Sequence, residues 1–519
     1  MPHRIHLLTL PLVFPAGLAA GEDGRDNRLA IARNGAGEPV LRGTSLAGRL
    51  RRAWRKRWQS TPDVDVDERV ERFFGRAADN DADSKDTASR LRVSDVVLNI
   101  SRHAQHKATV IERTHHLRDR HTGVVADGGL FSLEACPPGT TGQVVLWLRD
   151  MDDSPTESLG FLATIVELFE RGATLGGKSA RGIGAAHLNG QVGYRAYDLK
   201  DADQHARYLD DQLAWRRAPN VFPNSDKWDP ARAAAAASAV GADDRLCVKI
   251  TLGIPRGQDL LVADGQGLRC DAEPQRVMSA DGRLLWRLPG SSLRGLFRGW
   301  FTRLAAREDA RRPAAGERPR VADRVERRER VATGKASPEE ALTGDNLGWA
   351  FLPQDQRKVG TAHTDCPVSQ LFGTLFQKSR IHISDAYSEC SQPAPGEGVE
   401  LREEQLRKHV AIDAISGGAV ENLLFENSAL VGAASSAAGA QPGRSPRFEV
   451  KIQIEAPRED EARWLAKTLR ALDVGVLRVG SSKSSGRLSL VKPPEAAGPH
   501  SALLRAVVPY FPSKQFSAS

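Results

Sequence analysis

The chain has 519 residues and a formal net charge of +8 at neutral pH, with a pI near 9.3. This length favours about two to four domains, and no apolar run is long enough for a membrane-spanning helix, so no membrane partner is expected. With 40% hydrophobic and 27% charged residues, the chain is predicted to be soluble, globular and cytoplasmic, and its positive charge favours a polyanionic partner because phosphate neutralisation releases counterions.

Five cysteines are scattered along the chain without a CxxC pair. This pattern argues against a disulfide framework and fits a reducing compartment. His363 and Cys366 could form half of a zinc site, but a matching second pair of ligands is missing. Ordinary core and loop roles are therefore expected for these residues.

The first predicted element is an apolar strand, RIHLLTLPLVF from Arg4. The stretch that continues to Ala20 also imitates a secretion signal. A comparable apolar stretch that ends in a polar, glycine-bearing loop recurs from Leu246, LCVKITLGIPRGQ. Both stretches are therefore interpreted as the first strand of a domain.

Four motifs occur twice along the chain, in the same order. The pairs are GTSLAGRLRRAW from Gly43 with GSSLRGLFRGWF from Gly290, FFG from Phe73 with LFG from Leu371, SRLRVSDV from Ser89 with SRIHISDA from Ser379, and LGGKSARG from Leu175 with VGSSKSSG from Val479. Such ordered repetition predicts two homologous halves. Their expected limits are 1–198 and 245–495, with a linker at 199–244, a tail at 496–519 and a solvated charged insertion at about 307–346.

Strands and helices alternate within each predicted half. After the Gly-Ser turn, Leu46, Leu50 and Trp54 recur at helical spacing, and Thr44 or Ser45 can cap that helix. The alternating strands TGQVVLWLRD and RFEVKIQIEA each precede an amphipathic helix that ends at a glycine-rich loop. This order predicts the α+β class, as two tandem ferredoxin-like domains.

The glycine-rich segment RGATLGGKS, from Arg171, fits the phosphate-loop pattern GxxxxGK[ST]. A phosphate loop needs a strand before it and a helix after it, whereas here a helix precedes and a strand follows. The duplicate VGSSKSSG also breaks the pattern, so nucleotide hydrolysis is not expected. Both loops keep small residues and one lysine, which can approach phosphates, although a tight helix-to-strand turn explains them equally well.

The start of each Gly-Ser helix is expected to favour an anion, because free N–H groups and the helix dipole point there. Arginines on the following turns add positive charge, although some of them must be plain solvated surface. Two equivalent sites, one in each half, would suit a periodic polyanion.

In combination these motifs resemble the RAMP superfamily (repeat-associated mysterious proteins), and within it the backbone subunits of type III CRISPR effector complexes. The resemblance also includes the hairpin-like segments HLRDRHTGVVADGGLF and HVAIDAISGGAVENLLF, and it spans nearly all of both halves. It implies a modified RRM-like fold with a protruding thumb hairpin, which stacks with other RAMP subunits along CRISPR RNA. The residues expected to contact this RNA are Ser45, Arg49, Arg51, Arg52, Gly176, Gly177, Lys178, Ser179, Arg181, Ser292, Arg294, Arg298, Gly480, Ser481, Ser482, Lys483 and Ser484.

Family members that cut target RNA carry an aspartate between the first strand and the Gly-Ser helix, in a pattern like Asp-x-Pro followed by a basic residue. Asp26 and Asp271 occupy that place in this chain. Asp26 has no proline two positions after it, and the proline that follows Asp271, Pro274, comes one position late. Glu22, Asp23 or Asp264 are therefore alternative acids. A further departure is Ala47, which stands where family members commonly carry lysine.

The resemblance implies that Asp26 and Asp271 are catalytic and hold Mg²⁺ or another divalent cation. One carboxylate suffices for a modest ribonuclease, because RNA supplies its own 2′-hydroxyl nucleophile. The expected function is a guide-RNA-binding subunit that cleaves complementary single-stranded target RNA at two sites. One alternative is a non-catalytic scaffold. Another is a RAMP-type nuclease that processes CRISPR repeat RNA, with candidate acid/base groups His115, His116 and His121 but only His409 in the other half.

Overall fold

The computed structural model of the chain describes most of both predicted halves. The described residues are 4–22, 28–58, 65–76, 87–100, 110–118, 125–150, 155–176, 182–217, 226–228, 244–263, 270–311, 367–373, 378–390, 404–412, 415–416, 418–432, 445–480 and 486–510.

Helices and strands alternate along the described parts of both halves. The first half comprises β1 (Arg4–Phe14), β2 (Gly21–Glu22), β3 (Arg28–Ile31), β4 (Val40–Leu41), α1 (Gly43–Trp58), α2 (Val66–Phe74), β5 (Leu91–Val93), β6 (Val96–Asn99), β7 (Ile111–Arg118), β8 (Val125–Ala135), β9 (Thr140–Asp150), α3 (Pro155–Glu170), β10 (Ala173–Thr174), β11 (Ala185–Leu188), β12 (Gly193–Asp198), α4 (Ala202–Arg217) and β13 (Asp226–Lys227). The second half comprises β14 (Leu246–Gly253), β15 (Asp259–Leu260), β16 (Arg276–Met278), β17 (Leu284–Leu288), α5 (Gly290–Arg311), α6 (Pro367–Phe372), β18 (Ile381–Ile383), β19 (Ala386–Glu389), β20 (Glu404–Ile412), β21 (Ala419–Val431), β22 (Arg447–Ile454), α7 (Glu459–Asp473), β23 (Ser489–Leu490), β24 (Glu495–Ala497) and α8 (Ser501–Arg505).

The two halves share one sheet topology. In the first half β1 lies between β9 on one side and β11 and β12 on the other, and β5 pairs with β9. In the second half β14 lies between β22 and the strands β23 and β24, and β18 pairs with β22. All of these pairings are antiparallel. The prediction of two tandem α+β domains is confirmed.

The central strand of the first half is buried on both faces. Leu8 and Leu10 belong to the core formed with helices α1 and α3, whereas Ile5 and Leu7 pack with Tyr197 in a second cluster on the opposite face. Strand β14 instead alternates between buried and half-buried residues. A strand that is covered on both faces has a continuous run of apolar residues, whereas a strand that is covered on one face alternates apolar and polar residues. The extra cover in the first half comes from α4.

Folded elements continue past the expected limits of both halves. Helix α4 packs on β12, where Asp211 accepts hydrogen bonds from Arg195 and Tyr197. Trp228 also belongs to the first core, so described parts of the segment expected to be a linker are part of this half. In the second half, β24 and α8 extend the fold to Val507.

A buried ion cluster joins the two halves. Arg113 of β7 donates to Asp385, which lies between β18 and β19, with 2.5 Å between Nη1 and Oδ2. Arg287 donates to the same oxygen at 2.9 Å, and the side chains of Arg113 and Asp385 are only 2% and 0% exposed. Although burial opposes ionisation of Asp385, the charges of Arg287 and Arg113 hold its pKa below the ordinary value. The junction therefore depends on charges withdrawn from water.

Backbone contacts fix the position of this cluster. The Asp385 amide donates to the Gly182 carbonyl oxygen at 2.7 Å. Gly182 has φ +92°, and a Cβ at this position would collide with the Asp385 carboxylate. Only glycine combines that backbone conformation with such a close approach.

A second ionic contact joins the halves beside α1. Glu455 accepts from Arg49 at 3.3 Å and from Lys56. Burial alone would raise the pKa of Glu455, but the charges of Arg49 and Lys56 lower it to about 2. The carboxylate therefore stays ionised across the neutral and moderately acidic range.

We expect Glu455→Gln to lower the melting temperature at pH 7 and to have little effect near pH 2. A carboxylate whose pKa falls on folding stabilises the fold above its unfolded pKa and loses that contribution as the pH falls through the folded pKa, here about 2. The contribution at neutral pH is about 3 kcal/mol at most. Thermal unfolding from pH 2 to 7 measures it. Glu449→Gln, at an exposed pair with Lys249, is the control. A pH-independent difference would contradict the assignment.

We expect Arg113→Met to destabilise the chain by about 3 kcal/mol, because it leaves Asp385 buried with one cation fewer. Calorimetry should also show the halves beginning to unfold as separate transitions. The matched control is Arg407→Met, which removes an arginine from the equivalent hairpin of the second half. That arginine is 33% exposed, so its loss should cost less than about 1 kcal/mol. Equal losses in the two variants would show that the junction is not special.

Candidate nucleic-acid interface

Helix α1 separates an apolar buried face from a basic exposed face. Its buried residues are Gly43, Leu46, Leu50, Trp54 and Trp58. Its exposed polar residues are Thr44, Ser45, Arg51, Arg52 and Arg55. Ser45, Arg51 and Arg52 are therefore exposed, and their contact with RNA stays a prediction.

Two of the predicted arginines have partners within the chain. Arg49 donates to the Thr174 carbonyl oxygen at 2.9 Å in addition to Glu455. Arg294 donates to Ser379 Oγ and to the Ile381 carbonyl oxygen, both at 3.1 Å. These bonds give Arg49 and Arg294 a structural role. In the second half, Ser292 and Arg298 are half-buried.

The chain's own aspartates occupy the starts of both Gly-Ser helices. The Gly43 amide donates to Asp95 Oδ1 at 2.7 Å, and the Gly290 amide donates to Asp385 Oδ1 at 2.8 Å. The anion that the helix dipole favours there is thus a side chain of the protein. Both aspartates belong to the repeated motif SRLRVSDV/SRIHISDA. That repeat was the available signal, but it did not reveal what the aspartates bind.

Each glycine-rich loop starts beside the segment that follows the first strand. Gly176 and Gly480 both have positive φ, and a Cβ at either would collide with the carbonyl oxygen of Ala19 or Leu261, respectively. The segments that carry the candidate acids begin at Ala19 in the first half and at Leu261 in the second half. The chain continues as strand β11 after the first loop, which agrees with rejecting a phosphate-binding loop.

The acid-bearing segments then return along the thumb hairpins, β7–β8 and β20–β21. In the first half Leu29 pairs with Leu133 of β8, and in the second half Ala272 pairs with Asn427 of β21, both in parallel. In each half, a candidate acid segment thus lies between a glycine-rich loop and a thumb. Sequence reasoning treated these three features separately, and the fold brings them together.

The strand register gives Asp271 a counterpart in the first half. Because Leu29 corresponds to Ala272, Asp271 corresponds to Arg28. Asp271 is exposed, and its Oδ2 accepts the Glu426 amide of the thumb at 2.7 Å. Asp26 lies outside the described residues.

The backbone register of the two halves can be matched at the start of the acid-bearing segments. The Ala32 amide donates to Ala20, and the Gln275 amide donates to Val262, so Ala20 corresponds to Val262. Two residues further along the chain, this register matches Glu22 with Asp264.

Several predicted site residues fall outside the described parts of the chain. They are Asp23, Asp26, Gly177, Lys178, Ser179, Arg181, Asp264, Ser481, Ser482, Lys483 and Ser484, together with His121 and the suggested zinc ligands His363 and Cys366. Their roles stay predictions.

The described residues contain no group of three or more potential metal ligands. Asp271 contributes one exposed carboxylate. Mg²⁺ commonly binds through one or two carboxylates, with water and phosphate oxygens completing its shell. The described donor set therefore fits a divalent ion only if RNA and water provide most of its ligands.

The two thumbs carry matching aromatic stacks that sequence reasoning missed. His115 stacks on Phe131 with ring centroids 5.5 Å apart, and His409 stacks on Phe425 at 5.1 Å. Each histidine lies directly opposite its phenylalanine in the hairpin register. The same spacing in sequence, from His115 to Phe131 and from His409 to Phe425, was the available signal. His409 is thus the counterpart of His115.

Comparison with known families agrees with this duplicated architecture. The family model of the RAMP superfamily matches residues 8–187 and 278–489, one region in each half. The chain belongs to the RAMP superfamily. None of the individually curated proteins matches it. The superfamily includes CRISPR-associated proteins that bind RNA, and some of its members cleave RNA. In the described part of this RAMP chain, no helix is long and apolar enough to cross a membrane.

We expect the double variant Arg51→Gln/Arg52→Gln to bind single-stranded RNA more weakly, by a similar factor for any sequence. Both arginines are exposed on α1, and phosphate contacts carry no sequence information. Each lost phosphate contact should make the slope of log affinity against log salt concentration less negative by about 0.7. Fluorescence anisotropy at several salt concentrations measures both quantities. Arg207→Gln/Arg505→Gln, which removes two exposed arginines elsewhere, is the control. Equal weakening in both doubles would indicate a general charge effect.

Proposed function

We propose that this RAMP chain is a guide-RNA-binding backbone subunit of a type III CRISPR interference complex and cleaves the paired target RNA at two positions. The observation that carries the proposal is the duplication of one arrangement. In both halves an acid-bearing segment starts beside a glycine-rich loop and returns along a thumb hairpin. Two equivalent sites on one chain suit a strand that is cut twice at a fixed spacing.

The binding part of the proposal rests on the basic face of α1 and the charge of the chain. Arg51, Arg52 and Arg55 are exposed along one helix, and the chain carries a net charge of +8. A periodic row of phosphates binds such a surface through counterion release, independently of base sequence. That property suits a subunit that must hold any guide.

The cleavage chemistry needs few protein groups. The 2′-hydroxyl of the target attacks the adjacent phosphorus, the bond to the 5′-oxygen breaks, and the products end in a 2′,3′-cyclic phosphate and a 5′-hydroxyl. A carboxylate can accept the 2′-hydroxyl proton once the strand is held in line. A divalent ion, when bound, would stabilise negative charge on the phosphate oxygens. Asp26 and Asp271 are the acids that the family pattern favours. Glu22 and Asp264 are the pair that lies two residues further along the sequence from the matched residues Ala20 and Val262.

A specific observation favours a scaffold as the second candidate function. The Asp271 carboxylate already accepts a backbone amide of the thumb, so it has a structural role without any catalysis. A nuclease that processes repeat RNA has less support, because His115 is only 9% exposed and stacks on Phe131.

End-labelled target RNA paired with guide RNA on the assembled complex tests the proposal. We expect two cuts at a fixed spacing, each with a 2′,3′-cyclic phosphate end, and expect chelation of divalent ions to abolish both. Asp26→Ala should remove one product and Asp271→Ala the other, because distant sites act independently. Binding of the target should persist, since a carboxylate adds no attraction to a polyanion.

The parallel variants Glu22→Ala and Asp264→Ala decide between the two pairs of acids. If these variants, and not the aspartate variants, each remove one cut, the backbone register identifies the catalytic acids. Asp210→Ala, on the exposed face of α4, is the control and should cut normally. If all four single variants cut at both sites while the guide is bound, the chain is a scaffold.

A further inference from the structure

Within the described part of the first half, the face that carries Asp95 lacks the contacts that complete Asp385 at the junction. Both aspartates accept the first amide of a Gly-Ser helix. Asp385 is fully buried and holds the guanidinium groups of Arg113 and Arg287. Asp95 is 51% exposed, and among the described residues the cation bound to its carboxylate is Arg42 alone, at 3.3 Å. Asp95 is therefore one arginine short of the arrangement at the junction.

The arginine that completes the junction has a counterpart in the second thumb. Arg113 lies two residues before His115, and Arg407 lies two residues before His409, whose ring stacks correspond. Arg113 pairs with Leu133 in its hairpin, and Arg407 pairs with Asn427. The two arginines thus occupy the same position on the two thumbs.

The second thumb differs because its arginine is bound within its own half. Arg407 forms an ion pair with Asp259, whose side chain is 10% exposed. The corresponding residue of the first half is Gly17, since the Gly184 amide donates to Gly17 and the Gly486 amide donates to Asp259. Glycine offers no carboxylate. Arg113 is therefore available to the next domain, whereas Arg407 is held back.

We propose that the Asp95 face docks an arginine-bearing thumb hairpin of another RAMP domain, and that Asp259 prevents the chain's own Arg407 from serving as that hairpin. The proposal rests only on the part of the proposed function that places this chain beside other RAMP domains, and it does not require cleavage. Charge complementarity selects the occupant, because Asp95 with one exposed arginine retains room for a second, as Asp385 shows. A docked guanidinium would bury the Asp95 carboxylate and strengthen the ion pair.

The Asp259 pair acts as a block because it forms within one molecule. An intramolecular partner has a high effective concentration, whereas docking a second molecule costs translational and rotational freedom. Arg407 must leave Asp259 before it can reach Asp95 of another copy. Copies of this chain should therefore remain separate, while the Asp95 face stays open to a different partner.

Self-association of the full chain without RNA tests the proposal, by sedimentation velocity over a range of concentrations. The wild type should stay monomeric. Asp259→Gly, which copies the first half at Gly17, should free Arg407 and strengthen self-association by up to about fivefold, the equivalent of the roughly 1 kcal/mol that limits an exposed ion pair, in a manner weakened by salt. Adding Asp95→Asn to Asp259→Gly should restore the monomer, because asparagine keeps the oxygen that accepts the Gly43 amide but loses the charge.

The controls separate this mechanism from misfolding. Asp259→Asn removes the same charge with little change in shape and should act like Asp259→Gly. Asp198→Asn, at another exposed acid of the first half, should not restore the monomer. A wild type that already self-associates would overturn the blocking role of Asp259. Oligomers that survive Asp95→Asn, or folded Asp259 variants that both stay monomeric, would overturn the docking face. RNA is absent throughout, so failure of the proposed function would leave these outcomes unchanged.

Discussion

One buried carboxylate, that of Asp385, holds together several parts of this chain. Its Oδ1 accepts the first amide of α5, and its Oδ2 binds Arg113 from the opposite half and Arg287 from its own. A buried charge is tolerable only when such partners offset the loss of hydration. Because the Asp385 amide also donates to the Gly182 carbonyl oxygen, the start of the second Gly-Ser helix, the first thumb and the first glycine-rich loop are fixed relative to one another by a single residue.

This constraint explains why the two halves differ although they share a topology. The first half contributes Arg113 and the Gly182 carbonyl oxygen to the junction, and the second contributes the buried aspartate. The equivalent groups at the outer ends, Arg407 and Asp95, have local partners in Asp259 and Arg42. Duplication thus produced an internal Arg113–Asp385 contact and two modified ends, and small changes such as Gly17 against Asp259 determine what each end can bind.

The charges of the chain divide into a structural group and an exposed group. Arg49, Lys56 and Glu455 form a half-buried cluster between the halves, in which the carboxylate keeps a pKa of about 2. Arg51 and Arg52, on the adjacent positions of α1, are exposed. Because a helix turns by about 100° per residue, neighbouring arginines face different environments. A basic helix can therefore fix a domain interface and present positive charge to RNA at the same time.

The sequence by itself determined the duplication, the α+β class and the family. These properties depend on contiguous motifs and on local periodicity, such as Leu46, Leu50 and Trp54 along α1. The glycine-rich loops were also visible, but the first is two residues longer than the second, because Gly184 and not Gly182 corresponds to Gly486. Repeated letters alone could not reveal that shift, since both positions are glycines.

Only the tertiary structure decided which residues meet. Arg113 and Asp385 are 272 residues apart in sequence, and no periodicity links them. Arg49 and Arg294 were predicted to contact RNA but have structural roles, because their hydrogen-bond partners come from distant segments. The counterpart of Asp271 was likewise decided by strand register, which matches it with Arg28 of the first half. Local sequence determines which elements form, whereas register and burial determine which charges become neighbours.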